Sequence, residues 1–421
     1  MKKKLAIVGS GISAMSCVYR LKDDFDITIF EKNDYLGGHT HTHRLEEDGQ
    51  EFTVDTGFIV FNHKTYPNLI KMFSELGVRE QKCSMSFSVW NTNTGLQFCS
   101  ESFFSLFVQP KNWVSPRFWR FLLEATKFYR VARRDRESIA GSKQTIREYC
   151  RSKGLSDFFI DNMLAPLSSA VWSAGMTSVY DFPIAIIIPF FHNHGMLKVR
   201  PSLQWYSVPD GSDDYTKKIV AAAQPEVRLG EPVREVSDAG DGVKVKTAQG
   251  EYDFDYAIVA SHADESLKLV PGLPEQQKRL LGKFGYTPNK AVLHTDSSVM
   301  PPLRKAWAAW NHVIQKQPDG SAVSSTVYWM NPLQHTKSRQ DYFVSINPFQ
   351  PIDPDKVVKE IDYHHPDFTV ENFALQAQLP ELNKNTRILF SGAYFRYGFH
   401  EDGMWSGVQA AEQLKKNAEQ L

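Results

Sequence analysis

Gly9, Gly11, Ala14 and Glu31 have residue types and spacing suited to holding a dinucleotide. In the run Gly9-Ser10-Gly11-Ile12-Ser13-Ala14, Gly9 permits a tight turn out of a strand and Gly11 lets backbone approach a pyrophosphate, while Ala14 is small enough for a helix to pack closely on that strand. Ser13 falls at the start of that helix, where unpaired N–H groups and the helix dipole favour a phosphate. Glu31 follows Gly9 by 22 positions, with Lys32 beside it, and its carboxylate can accept hydrogen bonds from ribose hydroxyls. An acid at that point disfavours the 2′-phosphate of NADP.

This chemistry needs strand, turn, helix and strand in order. Residues 5–8 form an apolar run before the turn, a helix follows it, and Ile27-Thr28-Ile29-Phe30 supplies the second strand just ahead of Glu31. Later strands are expected at 227–229, 233–236 and 256–263, with Asp241-Gly242 as a hairpin turn. The fold class expected is α/β.

Composition narrows the setting. Lysine plus arginine and aspartate plus glutamate number 48 each in 421 residues, so no overall basic field recruits nucleic acid. The four cysteines, Cys17, Cys83, Cys99 and Cys150, neither pair as Cys-x-x-Cys nor cluster with histidines, so neither a disulfide framework nor a metal site is expected. Lys2-Lys3-Lys4 before an apolar run imitates a signal peptide, but the glycine turn interrupts that run. No apolar stretch approaches the roughly 20 residues a membrane-spanning helix needs. The expected setting is cytoplasmic, at most peripheral at a membrane.

Two further stretches bear on substrate. Between 103 and 136, aromatic residues from Phe103 to Tyr129 alternate with basic ones from Arg117 to Arg136. Such a segment suits either an anionic bilayer surface or, the reading favoured on sequence, a helix with an apolar core face and a solvated basic face. Residues 182–191 form an apolar wall able to line a lipophilic pocket, cut by Pro183 and Pro189. His192 and His194 beside it are expected to be structural.

The segment Asn33-Asp34-Tyr35-Leu36-Gly37-Gly38-His39-Thr40 and the closing stretch from Arg387, "RILFSGAYFRYGFHEDGMWSGVQAAEQL", resemble the FAD-containing amine oxidase, protoporphyrinogen oxidase and phytoene desaturase superfamily. Considered alone, the diglycine has a flexible turn as its alternative reading. The resemblance implies a Rossmann-type FAD-binding domain, 1–62, 205–265 and 385–421, with an inserted α+β substrate domain, 63–204 and 266–384. It implies that Gly38 and His39 meet the FAD phosphates, that Gly57 lies against the flavin ring with Asp55 holding the turn, and that Val233 meets the adenine. It also implies that Gly392 passes the phosphates and that backbone N–H groups at Gly403 and Met404 face the flavin pyrimidine. The alternative for residues 50–62 is a buried strand capped by a turn.

Together with "FFHNHGML", "VPDGS" and "AVLHTD", the closing stretch is similar to one branch in particular, the predicted NAD/FAD-binding oxidoreductases found beside cyclopropane-fatty-acid synthases. No second Gly-x-Gly unit suggests a separate NAD(P)H site. Lys290 lies near where amine oxidases carry a lysine, though an exposed strand lysine is the reading its own residues favour. His400, Glu401 and His294 are further catalytic candidates, with Glu401 alternatively a plain first-turn acid. The resemblance implies oxidation or desaturation of a lipophilic substrate, such as a phospholipid acyl chain or modified fatty acid. Amine oxidation and a non-catalytic flavin-binding accessory role are the alternatives.

Overall fold

The computed structural model describes residues 2–173, 175–198, 203–319 and 321–420. A five-stranded parallel sheet runs in the order Ile388–Phe390, Tyr256–Val259, Lys3–Val8, Phe25–Phe30, Glu226–Arg228. Both faces are covered, which is why these strands read as nearly unbroken apolar runs. Leu5, Ile7, Ile27, Ile29 and Ile258 point into the core shared with the helices Ile12–Leu21 and His400–Gln420. Ala6, Val8, Phe30, Ala257 and Val259 point the other way, against a three-stranded meander, Glu235–Asp238, Val243–Lys246 and Glu251–Phe254.

The first and last helices touch closely because small residues meet. A Cβ on Gly407 would stand 2.3 Å from the Ser13 carbonyl oxygen, and Ser16 Oγ donates to the Met404 carbonyl at 3.0 Å. Joining these helices fixes the C-terminal segment beside the N-terminal turn, so the two ends of the sequence share one site.

A second, mixed sheet has seven strands in the order Val357–Pro366, Tyr286–His294, Phe343–Ile346, Ala322–Trp329, Trp310–Lys316, Phe87–Asn91, Leu96–Cys99. Sequence reading anticipates three of these strands. It misses Phe87–Asn91, Leu96–Cys99, Trp310–Lys316 and Val357–Pro366, whose polar inward residues, among them Asn91, Gln97, Asn311 and His312, break the alternation.

Against this sheet packs an aromatic helical core drawn from Pro116–Asp135, Ala165–Trp172 and Ile184–Asn193. Helix Pro116–Asp135 is capped by Ser115, whose side chain accepts from Phe118 N, and buries Phe118, Phe121, Ala125, Phe128 and Ala132 on one face. Pro189 does not cut the apolar wall as expected: it lies inside helix Ile184–Asn193. No helix among the described residues is long and apolar enough to cross a membrane.

Asp55 ties three segments together. Buried at the end of strand Gln50–Asp55, its carboxylate accepts from Ser212 N, at 3.0 Å, and from the side chains of Ser212, Thr42 and Gln334. Burial outweighs these bonds and lifts its pKa to about 6.

Candidate active site

Both sheets contribute to one cavity of about 820 Å³. At one end it is lined by Gly9, Gly11, Ser13, Glu31, Lys32 and Val233, and at the other by Trp172, Phe190, Trp205, Trp310, Tyr328 and Phe399.

The first end is organised by backbone. Gly9 has φ +97°, a conformation that glycine adopts without penalty, and a Cβ there would meet the Ala260 carbonyl oxygen at 2.8 Å. Ser10, which sequence reading passes over, holds this end together: its hydroxyl donates to Glu31 Oε2 at 2.6 Å and accepts from Gly37 N at 3.0 Å. Asn33 N donates to Glu31 Oε1 at 2.9 Å. The glycine turn, the ribose acid and the diglycine are thus one bonded unit. Lys32 stands at the rim, paired with Glu265 at 2.7 Å.

Gly38 and His39 also line the cavity, and His39 is half-buried, stacked on Tyr363 at 4.8 Å, with a buried, unpartnered Nε2. Desolvation, and then neighbouring His365, hold its pKa well below the usual range. Gly57 has a reason the sequence did not disclose: a Cβ there would stand 2.2 Å from the His39 carbonyl oxygen, so the close approach is to the diglycine segment. Gly392 lines the cavity in extended backbone, its N–H donating to Ser406 Oγ at 2.7 Å.

Two expected contacts are displaced. Helix His400–Gln420 begins a turn earlier than expected, so the Gly403 N–H is taken by the Phe399 carbonyl at 3.0 Å. Gly403 still lines the cavity, with room for no Cβ against Ile12. Met404 does not; it is buried in the core between the two helices, as is Ala14, which acts as the small packing residue its position calls for.

The catalytic candidates separate. Lys290 is turned away from the cavity, half exposed and paired with Glu360 at 2.8 Å. Strand alternation explains this correction, because on Tyr286–His294 it is Asn289 that faces inward, where its Nδ2 donates to His365 Nδ1 at 2.9 Å. Glu401 is also withdrawn: it caps helix Pro67–Leu76, accepting from Asn68 N at 3.0 Å and Leu69 N at 3.1 Å. His294 bonds to Ser345 Oγ at 2.8 Å and does not line the cavity. His400 does line it, stacked on Phe58 at 3.7 Å with Nε2 3.0 Å from the Tyr215 hydroxyl, and burial lowers its pKa to about 3.

The second end is a wall of rings. Phe190 stacks on Phe399 at 4.6 Å and lies 4.7 Å from Trp172, while Trp310 meets Tyr328 edge-on at 5.0 Å. His194, stacked on Phe190 at 3.8 Å, lines the cavity, whereas His192 lies against Arg136 at 2.8 Å. The side chains Tyr363 and His365 of strand Val357–Pro366 also reach the cavity. The alternation Ile361, Tyr363, His365 was the signal that could have found them.

The residues at the first end fit a dinucleotide. A Cβ added to Gly11 would meet nothing within 4 Å, so the space beside its backbone is open to a ligand, and Glu31 keeps lone pairs beyond its two internal bonds. Residues 12–415 match the family described as flavin containing amine oxidoreductase. The chain belongs to that family. A ribose acid and a pyrophosphate turn suit FAD, the flavin that is a dinucleotide.

Relatives and structures outline how far the family likeness reaches. A phytoene desaturase of Fusarium fujikuroi is 30% identical over 94 residues, 21% of this chain and 16% of that protein. A 1-hydroxycarotenoid 3,4-desaturase of a Flavobacterium is 40% identical over 75 residues, 18% of this chain and 14% of that one. The chain thus matches well under a fifth of the length of these curated relatives. Cyclohexylamine oxidase from Brevibacterium oxydans shares the fold with a TM-score of 0.70 at 14% identity over 100% of both chains. The CLA-producing fatty acid isomerase from P. acnes does so with 0.68 at 11% identity over 98% of each.

Proposed function

We propose that this family member oxidises or desaturates a lipophilic substrate, such as a phospholipid acyl chain or a modified fatty acid, in lipid metabolism on the cytoplasmic side of a membrane. The observation that carries this reading is the aromatic end of the cavity, walled by Trp172, Phe190, Trp205, Trp310, Tyr328 and Phe399 without a carboxylate among them. The acids that follow Phe399 in the chain are engaged elsewhere: Glu401 caps a helix, and Asp402 accepts from Phe399 N at 3.0 Å and is pushed up to about 7 by burial; the carboxylates that do line the cavity are Glu31, Glu265, Glu360 and Asp362. Rings of this kind can face a cation, but with no carboxylate among them a neutral chain loses less on leaving water than a charged amine does. The named substrates of the relatives divide between a cyclohexylamine on one side and carotenoids or a fatty acid on the other, and the wall suits the second group.

Bound FAD supplies the acceptor for a hydride equivalent from a C–H bond. The protein's part is to hold the substrate among the rings and keep water away. His400, with a conjugate acid near pH 3, is a poor proton acceptor, so we assign it to shaping the wall beside Phe58. Gly9, Gly11, Ser13, Glu31, Lys32, Gly38, His39, Gly57, Val233, Gly392 and Gly403 are the residues assigned to FAD. We divide the chain into a cofactor lobe, 1–62, 205–265 and 385–421, and a substrate lobe, 63–204 and 266–384. In support, every strand of the parallel sheet falls in the first set and every strand of the seven-stranded sheet in the second.

Anaerobic mixing of the holoenzyme with lipid extracts, acyl lipids and an amine panel tests this. Bleaching of flavin absorbance by an acyl lipid is the expected result. Bleaching by amines alone would replace the reading with amine oxidation, and no bleaching by any candidate would leave a flavin-binding accessory protein.

A further inference from the structure

Large apolar side chains exposed to solvent are concentrated in one place. Of the nine among the described residues, six lie between 103 and 123: Phe103, Phe104, Trp113, Val114, Trp119 and Leu123. Phe104 is 76% exposed, Val114 83% and Leu123 68%. Their rings form one cluster rather than scattered contacts. Phe103 lies 6.0 Å from both Phe104 and Trp113, Trp113 lies 6.4 Å from Trp119, and Trp113 stacks at 3.9 Å on the buried ring of Phe107. Trp119 Nε1 donates to the Trp113 carbonyl at 2.9 Å, which fixes the two rings relative to each other. Scattered exposed apolar residues need no explanation, but a contiguous patch marks an interaction surface.

Beside the rings lies a basic stripe. At 100° per residue, Trp119, Leu123, Lys127, Arg130 and Arg134 share the exposed arc of helix Pro116–Asp135, the apolar pair toward its start and the basic ones toward its end. Arg120 and Arg133 flank this arc and are exposed as well. The two acids of the helix are largely buried: Glu124 is 6% exposed and bonds to Ser156 and to Arg120 at 2.9 Å, and Asp135 bonds to Tyr149, to Lys153 and to Arg134 at 2.8 Å. Lys127, Arg130 and Arg133 have no acid partner among the described residues and keep the middle of the stripe positive.

Rings at one end and a basic stripe along the rest complement an anionic bilayer, whose headgroup boundary accepts Trp and Phe and whose phosphates attract Lys and Arg. The same helix packs in one core with helix Ile184–Asn193, whose Phe190 lines the cavity. We propose that the face made by 103–114 and the exposed arc of helix Pro116–Asp135 seats the protein on an anionic lipid bilayer. This seat gives the lipophilic-substrate reading a route to its substrate, yet the observations behind it are those of the surface alone.

Co-sedimentation of the holoenzyme with vesicles tests it without turnover. The full chain is expected to bind phosphatidylcholine vesicles containing phosphatidylglycerol, to release with added salt, and to bind pure phosphatidylcholine far more weakly. Lys127→Ala with Arg130→Ala should weaken binding by about fivefold per residue and flatten the salt dependence. Phe104→Ser with Val114→Ser should weaken binding and leave the salt dependence in place. All four side chains are exposed, so flavin content and thermal midpoint should stay as in the parent, which separates lost docking from lost folding. Absence of binding at low salt overturns the proposal. So does equal binding to neutral vesicles, or a dimer in light scattering that Phe104→Ser dissolves, since a second copy would then cover the face. Binding that persists while no lipid bleaches the flavin would uphold the seat and sink the substrate reading.

Discussion

At the nucleotide end of the cavity, Gly9, Gly11, Ser10, Glu31 and Gly37 lie within one short stretch of chain and are joined by hydrogen bonds through Ser10. At the aromatic end, Trp172, Phe190, Trp310, Tyr328 and Phe399 come from distant segments and meet through ring contacts. The first end is shaped by backbone, which cannot change without losing the turn. The second is shaped by side chains that can be exchanged one at a time. Such a division suits a protein that keeps its cofactor and varies its substrate.

The sharpest way to break this contrast is Gly11→Val. A Cβ there meets no protein atom within 4 Å, so the apoprotein should keep its thermal midpoint while FAD affinity falls by a hundredfold or more, roughly 3 kcal/mol. Flavin absorbance after gel filtration reads the loss. Should the apoprotein unfold instead, the space beside Gly11 would not be a ligand site.

Acid stability probes both ends together. Burial keeps His39 well below the usual range, His194 and His365 at about 4 and His400 at about 3. Because each folded pKa lies below the unfolded value, the unfolded chain binds more protons; their stabilisation is complete above about pH 6.5 and declines as the pH falls toward 4. Asp55 and Asp402, raised to about 6 and about 7, act oppositely, favouring the fold in acid and giving up that contribution as the pH rises through those values. The imidazoles outnumber the acids, so urea midpoints should fall between pH 6.5 and 4. His400→Gln should remove ~1.4 kcal/mol per pH unit from the slope. An unchanged slope would show that His400 is hydrated.

Two smaller effects sharpen the assignment of the catalytic candidates. Glu401→Gln should cost about 1–2 kcal/mol of stability through the loss of a charged cap on helix Pro67–Leu76, read by urea denaturation, and leave turnover per bound flavin unchanged. Lys290→Ala should cost no more than about 0.5 kcal/mol, as expected of an exposed ion pair, with no change in the rate of flavin bleaching. A large fall in that rate would return Lys290 to the site.

Gly9, Gly11, Glu31 and the order of strand, turn, helix and strand were legible because a dinucleotide turn is local and each residue type has a steric reason. Lys290 was misplaced because a one-residue shift of strand register reverses the face, and Asn289 took the inward position. Glu401 and Met404 were misread because the closing helix starts at His400, a boundary set by Phe399 and Asp402 rather than by the glycine at 403. The strand carrying Tyr363 and His365 was overlooked because its alternation, Ile361, Tyr363 and His365, holds a single aliphatic residue among charged and polar neighbours.

What the sequence determined by itself was the backbone cradle at the N-terminus, the superfamily likeness of its closing segment, and a basic aromatic stretch of ambiguous purpose. The tertiary structure decided which side chains face the cavity, which acids are spent on capping, and that Phe103 to Trp119 gather into one exposed patch. The physical reason is range: turn geometry is fixed by neighbouring residues, whereas facing, burial and ring contact depend on segments brought together only when both sheets have packed.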